Sequence, residues 1–365
     1  MQPKLVSIVV TNFNYARFLR VAIDSALAQT YPLIEVIVVD DGSTDGSRGI
    51  IASYGERVRP IFKANGGHVS ADNVGYLATS GDVVLFLDAD DALHSTAIER
   101  AVAAMAPGVS AVQMPVMTID EDGRPLGSVL PVLPKRWGPA EIRRTMRRTG
   151  FYPYPPTSGN AYARWFIARI MPVDPARVHA GLDGVLNGTA ALHGDVIVLR
   201  DPLAYYRFHG SNAGAAIRLR PERLNYYVSL DIPRNAFLVE EAKRLGIALK
   251  PGICERAFYY AQYRLASLKL RPDLHPIADD TLRSVTQRFL EAAFLAPDPP
   301  FRRFLFAIWG LAVALAPVSL ATQLVELRFC SRARPKMLET VFRAFGLVRR
   351  TEQRSAAAGT ADPQA

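Results

Sequence analysis

The feature that most constrains this chain is a set of short runs that are apolar on both faces and then stop in polar or acidic clusters. "LVSIVV" runs into "TNFN", "IEVIVV" into "DDGSTDGS" and "VVLFL" into "DADD". A strand solvated on one face alternates apolar and polar residues, so runs without alternation must be covered on both faces. Amphipathic stretches separate them: in "ARFLRVAIDSALAQ", Phe18, Leu19, Ala22, Ile23, Ala26 and Leu27 share one face at helical spacing. This alternation, with "VRPIFK" as a further strand, runs from residue 5 to about residue 106 and predicts βαβ units around a parallel sheet. Ligands of such sheets sit beyond the carboxyl ends of the strands. The polar clusters 11–14, 40–45 and 88–91 all lie at those ends, so one crevice is implied.

Beyond residue 106 the regularity falls. "AVQMPVMTIDEDGRPLGSVLP" predicts two strands around the turn "EDG", "FYPYPPTSGN" a proline-rich loop, "GLDGVLNGTAALHG" a helix and "DVIVLRDPLAYYRFHGSN" a strand followed by a loop. From about Pro221 the pattern is mostly helical, including "CERAFYYAQYRLASLKL" and residues 304–325, "FLFAIWGLAVALAPVSLATQLV". That last segment carries no charge over about the length needed to span a bilayer. Arg302 and Arg303 precede it, and Arg328, Arg332, Arg334 and Lys336 follow it. Three readings stay open: a spanning helix, an interfacial hairpin drawn to anionic lipid, and a buried core helix. Pro317 and the mixed "SLATQ" argue for a shorter or kinked element. The expected organisation is a catalytic domain over 1–220, a helical region over 221–350 and a disordered tail over 351–365.

Hydrophobic residues make up 49% and charged residues 21% of the 365, which argues against disorder and against a disulfide scaffold. Cys254 and Cys330 fit a reducing compartment and form no metal-ligand pattern. The start "MQPKLVSIVVTNFN" lacks a signal-peptide pattern, so the active part is expected to face the cytoplasm. Of the net charge of +9, residues 301–350 account for most, with nine Arg or Lys against two Glu. The basic character therefore belongs to the tail, and no nucleic-acid partner is indicated.

Three clusters carry chemistry. "DDGSTDG" imitates the start of a calcium loop from Asp41, but the twelfth position is Ala52 where a bidentate Glu is required. A carboxylate here, after a parallel strand, can accept from a ribose hydroxyl or a base N–H, while Ser43 or Thr44 caps the next helix. The turn after the first strand, "TNFNYA", has no glycines and so cannot be the dinucleotide-binding turn. Phosphate charge must be met by something else. Asp88 and Asp90, two apart on an extended chain, point to one side and suit a hard divalent cation, Mg²⁺ or Mn²⁺, that would bridge to a diphosphate. Asp91 reads as mainly structural.

The stretch from "SIVVTNFNYARFLR" through "EVIVVDDGSTDGS" to "NGGHVSADNVGYLATSGDVVLFLDADD" closely resembles the family-two glycosyltransferases of the GT-A fold. The resemblance is dense over residues 4–106 and looser to about Asn212. It implies an α/β GT-A fold with a mainly parallel central sheet, and inverting transfer of a sugar from a nucleotide-diphosphate donor, a UDP-sugar first, to an acceptor hydroxyl. Thr11 and Asp41 match positions that contact the base, Asn14 lies in the same first loop, and Asp88, Ala89 and Asp90 match the D-x-D signature. Asn65, Gly66, Ser70 and Asn73 match the segment along the donor. Many members carry a basic residue where this chain has Asp72, and "GGHVSADN" looks like a subgroup with G-G-Q-x-S-A-x-N, His68 replacing Gln.

The family's base is a carboxylate near the start of a later helix, often in E-D; here Asp183 is the only carboxylate in that helix, with Asp174 and Asp195 as weaker candidates. The role needs a carboxylate within hydrogen-bond reach of the acceptor hydroxyl. "YYRFHGSN" matches a Y-x-x-H-x-x-N ending, which implies Arg207 at the donor and His209 as a third metal or phosphate ligand. Asn160 in "TSGNAY" is a weaker candidate for the acceptor mouth. The expected partners are a nucleotide-sugar, a saccharide or lipid-linked acceptor and a membrane surface, at the inner face of the cell membrane. A nucleotide-sugar-binding subunit without turnover is the alternative. A nucleotidyltransferase would need a Gly-rich, Lys-containing first loop, which "TNFNYARF" is not.

Overall fold

The computed structural model describes residues 4–134, 137–209 and 221–329. The expected tail at 351–365, the boundary at 220, Asn212, Cys330 and the basic residues Arg332, Arg334 and Lys336 lie outside the described residues. The strands are β1 (Val6–Asn12), β2 (Ile34–Asp40), β3 (Arg59–Phe62), β4 (Val83–Asp88), β5 (Ala92–Leu93), β6 (Val109–Gln113), β7 (Val116–Ile119), β8 (Pro125–Leu130), β9 (Asn160–Ala163), β10 (Asp195–Val198) and β11 (Ala204–Arg207). The helices are α1 (Ala16–Leu27), α2 (Ser47–Ala52), α3 (His68–Leu77), α4 (Ala97–Ala104), α5 (Pro139–Thr149), α6 (Arg164–Ile167) and α7 (Leu182–His193). They are followed by α8 (Pro221–Arg244), α9 (Phe258–Leu270), α10 (Leu282–Leu295), α11 (Pro300–Leu315) and α12 (Val318–Phe329).

A seven-stranded sheet in the order β10-β6-β9-β4-β1-β2-β3 forms the centre. It is mainly parallel, as expected from the unbroken apolar runs, but β9 pairs antiparallel with both β4 and β6. Both faces are covered: Val6, Ile8, Val10, Leu85 and Leu87 enter one hydrophobic core, Val9, Val84 and Phe86 the other. Period two along each strand thus feeds two cores at once, which is why the strand interiors are almost wholly apolar, with Ser7 bonded to Glu35 as the exception near the start of β1 and β2. Each large side chain withdrawn from water in this way stabilises by roughly 1.5–3 kcal/mol.

Two parts of the middle region differ from expectation. "NAYA" is the strand β9 rather than part of a loop, and "AYYR" is the strand β11. β11 joins β5, β7 and β8 in a second, four-stranded sheet, with the expected hairpin of β7 and β8 turning at 120–124. This small sheet sits against the open end of the first, and β11 runs antiparallel to β5, immediately after the D-x-D segment.

The expected helical region is present from α8 onward. α8 packs on α7, and its Leu238 lies in the core beneath the central sheet. α9 to α12 surround a separate core that includes Leu265, Phe289, Val313 and Val325. The apolar segment is broken: α11 has 16 residues and α12 has 12, separated at Ala316 and Pro317. Pro317 lacks an N–H to donate and forces Ala316 into an extended conformation. Among the described residues no helix is long and apolar enough to cross a membrane, which corrects the spanning reading.

A buried ion cluster ties this region together. Arg264 forms an ion pair with Asp280, and His275 Nε2 lies 2.9 Å from the same carboxylate. All three side chains are at most 7% exposed. Burial opposes the charge on Asp280, but Arg264 and His275 outweigh it and hold the carboxyl below its ordinary value. Asp280→Asn is therefore expected to destabilise the helical region by about 3 kcal/mol at neutral pH, because it leaves the buried Arg264 with only its longer contact to Glu255, at 3.6 Å. A depressed pKa gives stability that is present above the unfolded value, near 3.9, and lost as the pH falls through the folded one. Denaturant unfolding should show the gap between wild type and variant closing in acid.

Candidate active site

The cleft is built where β4, β1 and β2 end side by side. Thr11 pairs in register with Asp88, and Asn12 with Asp40. β4 ends at Asp88, and Ala89 and Asp90 lie in a turn closed by the Asp91 N–H donating to the Asp88 carbonyl at 3.0 Å. A turn rather than the expected extended spacing thus brings the acids together, with Ala89 buried in the core below. Carboxylate oxygens of Asp88, Asp90 and Asp91 lie within 4.8 Å of one another.

Each acid is held differently. Asp91 is buried and uses both oxygens, accepting from the Ser158 hydroxyl at 2.7 Å and the Arg207 backbone N–H at 3.0 Å. Burial, with the charges of Asp90 and Asp88 added, pushes its pKa well above the carboxylate range. Asp90 Oδ2 faces His209 Nε2 at 2.9 Å, with the ring set against Tyr15 and Phe18. Asp88 is the most open of the three and faces His68 Nε2 at 3.3 Å. Burial and the field of the same three acids raise the Tyr15 hydroxyl to about 12. That field is what a hard cation would relieve, and oxygen ligands with one imidazole suit Mg²⁺ or Mn²⁺.

The loop after β3 is fastened to β2 through Asp41. Its carboxylate accepts from the backbone N–H groups of Gly66 at 2.9 Å and Gly67 at 2.8 Å, and pairs with Lys63. Gly42, at φ +80°, permits this approach, since a Cβ there would meet Asn65 N at 2.7 Å. Asn65 is exposed at the tip, and Ser70 sits close to Gly66. Asn14 accepts from Thr44 N at 2.8 Å and donates its own N–H to Ser43 Oγ, so the first two loops are joined. The buried Thr11 hydroxyl has no hydrogen-bond partner among the described residues.

Asp72 is buried under His68, one helical turn away on α3, with Nδ1 to carboxylate oxygen at 3.4 Å. Burial raises the Asp72 carboxyl to about 7 against the opposing charge of His68, while Asp72 in turn raises the imidazole. Where the resemblance implies a basic residue in many members, this chain places a buried carboxyl beneath the His68 ring.

Asp183 stands in the first turn of α7, and its charge acts on both His68 and Asp72. Arg234 of α8 reaches over from the helical region to within 4.0 Å of it and bonds Asp231 at 3.0 Å. Gly181 and Gly184 make room for that guanidinium: a Cβ at either would overlap it. Nothing in "DIPRNAF" signals this contact, because it joins elements some fifty residues apart. Lys63 and Ser158 were equally silent in the sequence.

Five candidate residues have their side chains engaged elsewhere. Asn73 forms two hydrogen bonds with the backbone of Val173. Asn160 donates to the carbonyls of Pro155, Pro156 and Thr157. Arg207 donates to the carbonyls of Asp90, Asp120 and Glu121 and lies over the Phe18 ring, which secures the D-x-D segment. Asp174 caps a turn at Ala176, and Asp195 pairs with Arg143 at the far edge of the sheet.

Residues 7–165 match the family described as glycosyl transferase family 2. The chain carries a family 2 glycosyltransferase domain with a GT-A-like fold and a helical C-terminal region. An uncharacterised glycosyltransferase of Nostoc sp. is 38% identical over 213 residues, covering 57% of this chain and 66% of that protein. One from Rickettsia typhi is 46% identical over 96 residues, 26% of this chain and 30% of its own length. The chain thus spans less than two thirds of these relatives. The crystal structure of TarS 1–349 from S. aureus in complex with UDP superposes with a TM-score of 0.51 at 17% identity. That match covers 88% of this chain and 90% of TarS 1–349, and shows a shared fold.

Proposed function

We propose that the cleft binds a nucleotide-diphosphate sugar, a UDP-sugar in the first instance, and transfers the sugar with inversion to an acceptor hydroxyl. The observation that carries this is the convergence of Asp88, Asp90 and Asp91 at the end of β4, next to the unpartnered hydroxyl of Thr11. The structures of TarS with UDP and with UDP-GlcNAc favour a uridine nucleotide. Thr11, Asn14 and Asp41 would face the base and ribose, with Asn65 and Gly66 in the loop along the donor and Ser70 and Asn73 on the helix α3 that follows it.

Asp90, Asp88 and His209 would hold a divalent cation, Mg²⁺ or Mn²⁺, which when bound neutralises the diphosphate that leaves. Ala89 and Arg207 fix the segment that presents them. Asp183 accepts the proton of the acceptor hydroxyl as that oxygen forms its bond to the anomeric carbon. The bond to the diphosphate breaks on the opposite face, so the anomeric configuration inverts. Arg234, 4.0 Å away, is the cation beside Asp183. Asn160 shapes the 155–157 loop beside the acceptor mouth. A saccharide or lipid-linked acceptor, in polysaccharide or glycolipid synthesis at the inner face of the cell membrane, completes the reading.

A panel of UDP-, GDP- and dTDP-sugars assayed for nucleotide release, with Mg²⁺ or Mn²⁺ and with a chelator, tests it. Release from a UDP-sugar that stops on chelation is expected. Tight nucleotide binding with no donor consumed, whatever the acceptor, would make the chain a binding subunit instead.

A further inference from the structure

A second charged surface lies away from the donor cleft. An open cleft of about 660 Å³ is lined by Arg143, Arg144, Arg147 and Arg148 of α5 with Lys250 and Arg256, and by Leu295. Arg143 pairs with Asp195, and Arg144 lies at the 4.0 Å limit from Glu141. Among the described residues, Arg147, Arg148, Lys250 and Arg256 have no carboxylate partner. Like charges four apart on a helix repel, and α5 holds two such pairs, 143 with 147 and 144 with 148. Placement of Arg147 and Arg148 in the last turn offsets part of that cost through the helix dipole. The fold nevertheless gathers six cations around one cleft with no internal anion to answer most of them.

The apolar surface nearby is equally unanswered. Leu295 ends α10, and α11 begins five residues later. One face of α11, with Phe306, Gly310 and Val313, packs inward. Phe301, Phe304, Ile308, Leu311 and Leu315 form a stripe at spacings of three and four on the opposite face, all exposed, Leu315 at 82%. Exposed apolar residues scattered singly need no explanation, but a stripe along a whole helix does. The Arg303 guanidinium fastens the start of α11 to the carbonyls of Phe294 and Asp298, so the stripe begins near Leu295 in the lining of the basic cleft.

We propose that the basic cleft on α5 and the outer face of α11 together dock the chain on a bilayer surface that carries anionic headgroups. The cleft takes the headgroup phosphates, and the stripe enters the headgroup and acyl boundary, as an interfacial helix does. Nucleic acid would satisfy the arginines but leave the stripe in water. With 16 residues ended by Pro317, α11 is too short to span and suited to lying in the plane. The inference rests on the membrane setting proposed above but not on transfer, and its test reads vesicle binding alone.

The test is co-sedimentation of the full chain with vesicles of phosphatidylcholine, with and without phosphatidylglycerol. Wild type should bind the anionic vesicles, and raised salt should weaken that binding. Arg144→Gln/Arg147→Gln/Arg148→Gln should lose roughly a hundredfold in affinity, since each basic residue near an anionic surface contributes about fivefold. Ile308→Ser/Leu315→Ser should lose about tenfold or more, with little change in salt dependence. Circular dichroism and UDP binding report whether each variant is folded, and neither surface lies in the donor cleft. Vesicle binding equal in wild type and the arginine triple variant would overturn the proposal. So would a wild-type dimer in sedimentation that Ile308→Ser/Leu315→Ser dissociates without altering vesicle binding, which would assign the stripe to a second copy of the chain.

Discussion

Asp183→Asn is expected to lower sugar transfer by about 10²- to 10⁴-fold while leaving nucleotide affinity within a fewfold of wild type. A positioned base contributes that much to proton removal in the transition state, and the amide keeps the shape of the side chain but cannot take the proton. The residue stands in the first turn of α7, 4.0 Å from the Arg234 guanidinium, and has no hydrogen bond or ion pair with Asp88, Asp90 or His209, the residues that would hold the donor's cation. The effect should therefore fall on kcat rather than on donor KM. Steady-state transfer and UDP titration on the same preparation separate the two. A comparable loss of both would mean that Asp183 works by anchoring Arg234 and α8.

Asp90→Asn is the second large effect. Asp90 faces His209 Nε2 at 2.9 Å and shares its position with Asp88 and Asp91, so its charge is central to the cluster. Its loss should lower transfer by at least about 10²- to 10³-fold, the usual consequence of removing one group that stabilises developing charge. It should also move the metal requirement to higher concentration. A metal-activation curve for donor consumption checks this: a variant curve that overlays wild type would remove Asp90 from the metal site. Asp91→Asn should act differently, because Asp91 has both oxygens engaged by Ser158 and Arg207.

The first 106 residues were largely legible because burial on both faces leaves strands as unbroken apolar runs, and because turning out of the sheet forces charge to the strand ends. That Asp88 and Asp90 lie close together was legible, but the expected extended spacing was not the cause: a turn over 88–91, closed by the Asp91 N–H on the Asp88 carbonyl, gathers the three acids. β9 and β11 were not legible: each has four residues, and each is a strand only through long-range partners. Asp72 looked like a missing cation, whereas the structure sets it under His68, a relation that i,i+4 spacing could have suggested. Arg234 and Lys63 had no local signal at all, since their partners lie far along the chain. Residues 304–325 looked long enough to span a bilayer on hydropathy, and Pro317 was the sign that they do not form one helix.

The central claim is that the acids at the end of β4 bind the donor's diphosphate through a divalent cation, and calorimetric titration of UDP tests it most directly. Wild type should bind UDP with Mn²⁺ or Mg²⁺ present and lose most of that affinity in chelator, and Asp90→Asn should behave in metal as wild type does without it. UDP binding that is unchanged by chelation and by Asp90→Asn would contradict the account.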